Sequence, residues 1–114
     1  KKGAELIFII TNDGWWKDTP GYKQHMAFAR LRAVENRKSI ARSANTGTSC
    51  FINQRGDVLQ ATGWWVEAAI KDNLKRNNVK TFYTNYGDWL GKGLTSVAVA
   101  LILFTIYLRK KKKK

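Results

Sequence analysis

Five consecutive apolar residues, Leu6 to Ile10, open the hydrophobic pattern of this chain. The run is too short for a helix and suits a strand buried on both faces, as in a layered sheet protein. It stops at Thr11-Asn12-Asp13-Gly14. Asn and Asp bond their own backbone in such turns, and Gly14 is free to take positive φ. Trp15 and Trp16 come next. A polar turn that carries large aromatics at the end of a buried strand is where sheet proteins place ligand contacts. The structural alternative is that both tryptophans cap the core.

The next rhythm is helical. Thr19-Pro20 reads as an N-cap followed by proline at the first helical position, with Asp18 favourably placed for the helix dipole. A helix is predicted from Pro20 to Asn36. Tyr22, Met26, Ala29 and Ala33 share one face, and Ala27, Leu31 and Val34 form a second stripe. Two stripes predict burial on two sides, a helix inside a sandwich. Ser39 to Asn45 and Thr48 to Ile52 read as short strands separated by Thr46-Gly47, and Val58-Leu59 begins another after a turn at 53–57, together a small meander. Residues 64–76 satisfy both helical and alternating patterns and are read as a strand. Asn77 to Asp88 has no periodicity and reads as an ordered loop.

The last rhythm is continuous apolarity. Gly93 to Leu108 holds sixteen residues without a charge, twelve of them Leu, Ile, Val, Ala, Phe or Tyr. Counted from Trp89, the segment reaches the roughly 20 residues that a bilayer core requires. Trp89 and Tyr107 stand as interfacial anchors, and Lys92 can snorkel to a headgroup. A buried core helix is the alternative, but it leaves the basic residues after it unexplained. Under the positive-inside rule the tail 109–114 is cytoplasmic, and residues 1–88 lie on the outer side of the membrane.

Charge changes the picture less than its sum suggests. The net charge is +13, of which Arg109 and Lys110 to Lys114 supply six. The remaining basic residues are interleaved with acids and carry no nucleic-acid motif, so no nucleic-acid partner is expected. One cysteine, Cys50, excludes an internal disulfide, and one histidine, His25, excludes a His-rich metal site. Cys50 reads as a small buried hydrophobe in mid-strand. His25 has no acid at i±4 to orient it and reads as a structural hydrogen-bonder. The carboxylates show no motif pairing, and Glu35 reads as a helix-end residue bonding Arg or backbone. The chain opens on Lys1-Lys2-Gly3 and enters its first strand within a few residues, with few further strands to flank it. The expectation is part of a larger domain.

Four segments then combine in order: Thr11-Asn12-Asp13-Gly14-Trp15-Trp16, the helix from Gln24 to Asn36 with Gln24-His25 and Arg30-Leu31-Arg32-Ala33-Val34-Glu35, then Arg42-Ser43-Ala44-Asn45-Thr46-Gly47, then Gln54-Arg55-Gly56-Asp57. The series resembles the C-terminal part of the nitrilase (carbon-nitrogen hydrolase) superfamily. With the apolar segment behind it, it is more similar still to the apolipoprotein N-acyltransferase family within that group.

The resemblance implies an α/β fold: part of an αββα nitrilase-like sandwich on the outer, periplasmic face of the bacterial inner membrane, followed by one C-terminal transmembrane helix. The division it implies is 1–88 for the sandwich part, 89–108 for the span and 109–114 for a cytoplasmic tail. It implies transfer of an acyl chain from a phospholipid donor to the α-amino group of an apolipoprotein's diacylglyceryl-cysteine, through a Glu-Lys-Cys triad. All three triad positions are expected upstream of Lys1, so no catalytic residue is assigned here and this chain alone is expected to be inactive. Cys50 does not match the nucleophile. No cofactor is implied, and a monomer is expected. Trp15 matches a tryptophan at the family's active-site mouth and Asn12-Asp13 match its strand-end turn. Trp15, Asn12, Asp13 and Trp16 are therefore the expected substrate-binding residues. A soluble nitrilase or amidase relative and a non-catalytic membrane-anchored binding module are the alternatives.

Overall fold

The computed structural model describes residues 2–111, so Lys112 to Lys114 of the expected basic tail lie outside the described residues. Strand β1 (Leu6–Thr11) leads through a 3-10 turn (Asp13–Trp16) into helix α1 (Pro20–Asn36), which returns to β2 (Ser39–Ala44). β1 and β2 are parallel, paired from Leu6↔Ser39 to Thr11↔Ala44. β3 (Cys50–Ile52) and β4 (Val58–Leu59) then add antiparallel neighbours, completing a sheet of order β1-β2-β3-β4. A parallel pair needs a crossover, and α1 supplies it.

The limits of α1 are set by its termini. The Thr19 hydroxyl accepts a hydrogen bond from the Gly21 N–H at 3.3 Å, Pro20 occupies the first turn, and Arg37 closes the helix in the left-handed region. Tyr22, Ala29 and Ala33 are buried as the first stripe requires. Ala29 and Ala33 meet Ile40, Cys50 and Ile52 across the sheet, with Ile7, Ile9, Met26 and Val58 packed around them. The alanines let the helix axis approach the strands, and this single face is the core.

The fold departs from four expectations. β1 is not buried on both faces: it is an edge strand whose Phe8 and Ile10 are 71% and 89% exposed, because α1 covers only the face carrying Ile7 and Ile9. The outer face is instead a hollow of about 520 Å³ lined by residues including Phe8, Ile10, Phe51 and Ile70. The second stripe of α1 is likewise uncovered, with Leu31 and Val34 exposed. Residues 64–76 form no strand. Two of their carbonyls accept from side chains elsewhere, Ser39 Oγ donating to Lys75 at 2.8 Å and Gln60 Nε2 to Lys71 at 3.0 Å, and no ladder pairs the segment. Within the expected loop 77–88, Phe82–Tyr86 is a short helix, α2, capped by the Thr81 hydroxyl on the Thr84 N–H at 3.0 Å.

Helix α3 runs over Trp89–Lys111, three residues beyond the expected span, and buries none of its residues. At 1.5 Å per residue it is about 34 Å long, enough to cross a bilayer core of about 30 Å. It is the one helix among the described residues long and apolar enough to do so.

Candidate functional site

The two parallel strands end side by side, and the turns that leave their carboxyl ends build the site. In open α/β sheets those ends are where ligand contacts collect. After β1, the Asn12 side chain caps the 3-10 turn, its Oδ1 accepting from the Gly14 N–H at 3.1 Å and from the Thr46 hydroxyl at 3.3 Å. Thr46 lies just beyond β2, so Asn12 ties the two strand ends together. Gly14 does not use positive φ, contrary to expectation. Its missing side chain matters for space instead: a Cβ there would stand 3.1 Å from Asn12 Oδ1 and 3.2 Å from Thr46 Oγ1.

Asp13 sits beneath this turn with no exposed surface. Oδ2 accepts from Arg42 Nη2 at 2.7 Å, while Oδ1 takes His25 Nδ1 at 2.9 Å and the Thr11 hydroxyl at 3.2 Å. Burial pushes the Asp13 carboxyl up, but the hydrogen bonds from Arg42 and His25 and the Arg42 charge outweigh it, and the group lies below its ordinary value. It is therefore a carboxylate at neutral pH and can only accept. That fixes the direction of the contact: His25 Nδ1 carries a proton and donates it to the carboxylate. The 3.3 Å approach of Arg42 Nη2 to the same Nδ1 is then a contact between two donors sharing one carboxylate. Arg42 is itself buried from β2 and anchored through Nη1 to the Thr48 carbonyl.

The tryptophans lie above. Trp15 is 86% exposed and Trp16 is 42% exposed, so neither caps the core of the described chain. Trp16 packs on the His25 ring with centroids 5.0 Å apart. It also presses on the start of α1, where a Cβ on Gly21 would stand 2.5 Å from Trp16 Cδ1. A second aromatic group borders the turn: Trp64 stacks on Tyr22 at 4.3 Å, and the Trp65 N–H donates to the Thr46 carbonyl at 2.9 Å. Cys50 is buried at the start of β3, and burial raises its thiol against a smaller opposing effect of Arg42. Among the described residues no three of His, Cys, Asp and Glu converge as a metal site would require.

All four expected site residues thus gather at one strand end, with Trp15, Trp16 and Asn12 at the surface and Asp13 beneath them. His25 and Arg42 join them, although neither was expected in the site. The acid that orients His25 comes from twelve residues upstream through the turn, out of reach of any i±4 pattern.

Residues 1–83 match the carbon-nitrogen hydrolase family. The chain belongs to that family. This carbon-nitrogen hydrolase chain is also similar to proteins named apolipoprotein N-acyltransferase. It is 35% identical over 103 residues to that of Chlorobaculum tepidum, covering 90% of this chain and 19% of the relative. With that of Thermotoga maritima it shares 35% over 89 residues, 78% of this chain and 18% of the relative. With that of Geobacter metallireducens it shares 32% over 111 residues, 97% of this chain and 21% of the relative. The chain spans about a fifth of the length of the curated relatives it matches. Family membership accords with the mixed α/β sheet and its single helical layer.

Proposed function

We propose that this chain is the C-terminal part of an N-acyltransferase that moves an acyl chain from a phospholipid onto the N-terminal amine of diacylglyceryl-cysteine lipoproteins. One observation carries the reading. Similarity to an N-acyltransferase extends over 97% of the chain, past the residues 1–83 shared with carbon-nitrogen hydrolases in general and into the apolar α3. A soluble amidase has no use for such a helix. In this reading residues 1–88 belong to the sandwich on the periplasmic side of the inner membrane, 89–108 span it, and 109–114 are cytoplasmic. The Glu-Lys-Cys chemistry belongs to the remainder of the protein, and this chain contributes the mouth of the site and a membrane anchor.

Chemistry supports the division of labour at the strand end. A thioester that must react with an amine rather than water needs apolar walls and few mobile waters. Trp15 and Trp16 provide such walls for acyl chains, Asn12 holds the turn to the neighbouring strand, and Asp13 positions it from below. The test is to purify the full-length protein in detergent and supply a phospholipid with a labelled acyl chain and a diacylglyceryl-cysteine peptide. The expected result is a labelled protein thioester and then an N-acylated peptide. Hydrolysis of simple amides without transfer would favour a soluble-type amidase chemistry, and binding without turnover a membrane-anchored module. Trp15→Ala in the same protein is expected to slow both acylation steps; if both rates stay unchanged, Trp15 has no part in the pocket.

A further inference from the structure

The join between the sheet layer and the apolar helix has two unlike sides. One side of α2 is fastened to the end of α1: the Thr81 hydroxyl donates to the Glu35 carbonyl at 2.5 Å, the Thr84 hydroxyl to Asn36 Oδ1 at 3.0 Å, and Arg32 Nη1 to the Tyr83 hydroxyl at 3.3 Å. The other side is aromatic and uncovered. Phe82 and Tyr86 share a helix face, their ring centroids 4.5 Å apart, and each is more than half exposed. Trp89, the first residue of α3, meets the Phe82 ring edge-on at 5.9 Å and is also more than half exposed. Gly87 permits this contact. Its φ of 68° turns the chain between the helices in a conformation that a side chain would strain, and its N–H donates to the Tyr83 carbonyl at 2.7 Å. The Phe82–Trp89 contact therefore holds α2 at the level of the first turn of α3.

Three exposed rings packed on one another mark an interaction surface, and their place says what covers it. With α3 about 34 Å long against a bilayer core of about 30 Å, Trp89 falls at the boundary between hydrocarbon and headgroups. Amphipathic rings are favoured at that depth, with the apolar body inward and the polar edge toward water. Charge fits the same partner. Lys80 and Lys92 flank the rings, make no ion pair among the described residues and are free to reach lipid phosphates. The acid between them, Asp88, is engaged at the start of α3, where Oδ1 accepts from the Gly91 N–H at 2.9 Å. Resting on the reading that α3 crosses the bilayer, we propose that Phe82, Tyr86 and Trp89 form one aromatic foot in the headgroup layer, through which α2 seats the end of α1 on the membrane. Its partner is the lipid surface. Bonded to α1 on one side and embedded on the other, α2 fixes the height of the sheet layer above the bilayer.

The test uses the full-length protein reconstituted in vesicles of phosphatidylethanolamine and phosphatidylglycerol. Photoreactive benzoylphenylalanine replaces Phe82 or Tyr86 in turn, which keeps an aromatic ring at an exposed position. The same group is placed at each of residues 100–103, a full turn of α3, and at Arg55 in the exposed turn before β4. After illumination the peptides are weighed. Those holding position 82 or 86 are expected to gain the mass of one phospholipid, as are peptides from α3, while the Arg55 peptide stays unshifted. Cross-links from 82 and 86 only to other segments of the protein would overturn the inference, because the rest of the chain would then cover the rings. So would the absence of any adduct at 82 and 86, or a lipid gain of equal yield at Arg55. If no position in 100–103 gains lipid, the reading that α3 crosses the bilayer itself fails, and the foot fails with it.

Discussion

Asp13 is the residue on which the site turns. Its carboxylate, buried with Arg42, gathers Thr11, His25 and Arg42. Removing one member of a buried pair leaves the other charge uncompensated, which typically costs about 3–5 kcal/mol. Asp13→Asn should therefore lower the stability of the full-length protein by that order at pH 7, read from its denaturant midpoint. The sign with pH is also set. A folded pKa below the ordinary 3.8 means the contribution is complete above that value and is lost as pH falls through the lower folded value. Wild type should lose more stability than Asp13→Asn on acidification through that window; parallel acid arms for the two proteins would mean that Asp13 is not held as a carboxylate. The Asn12 turn was legible in the sequence because a cap to Gly14 is a local bond. The Asp13 partners were not, because His25 and Arg42 lie 12 and 29 residues away and meet it only when α1 returns the chain to the sheet.

At the scale of elements, the site is a junction of three pieces: the 3-10 turn after β1, the start of α1 and the Thr46-Gly47 turn after β2. Their spacing leaves no room. A Cβ on Gly47 would stand 2.0 Å from Asp13 Oδ2, and neither the buried carboxylate nor Arg42 can yield. Gly47→Ala should destabilise by about 1–3 kcal/mol through overpacking. Gly93→Ala in α3, where a Cβ would meet nothing within 4 Å, serves as the control and should be neutral or slightly stabilising. Equal melting temperatures for the two variants would mean that the junction is looser than described. The α1 limits were readable because Thr19, Pro20 and the alanine stripe act locally. The residues at 64–76 were misread because their pattern fits two periods; in the fold Ser39 and Gln60 hold the Lys75 and Lys71 carbonyls from outside the segment.

At the scale of the whole molecule, one sheet face is covered and the other is not. Phe8 and Ile10 face outward on β1, Leu31 and Val34 do so on α1, and α3 buries nothing. A sheet packed on one side by a single helix has little apolar burial to offset the entropy of ordering the chain. Residues 1–114 expressed alone in detergent should therefore give no sharp calorimetric transition. A cooperative one would show that the covered face is sufficient. The order of residues was enough for everything that depends on neighbours along the chain: the first strand, α1 with its cap and proline, the β2–β3–β4 meander, the apolar segment that became α3, and the motif order that marks the family. Packing in three dimensions settled which face of β1 is buried, that Asp13 is buried beneath its turn, and that it pairs with Arg42 and His25. Those outcomes depend on a parallel pairing closed by a helix, and the contacts so made join residues that no local period connects.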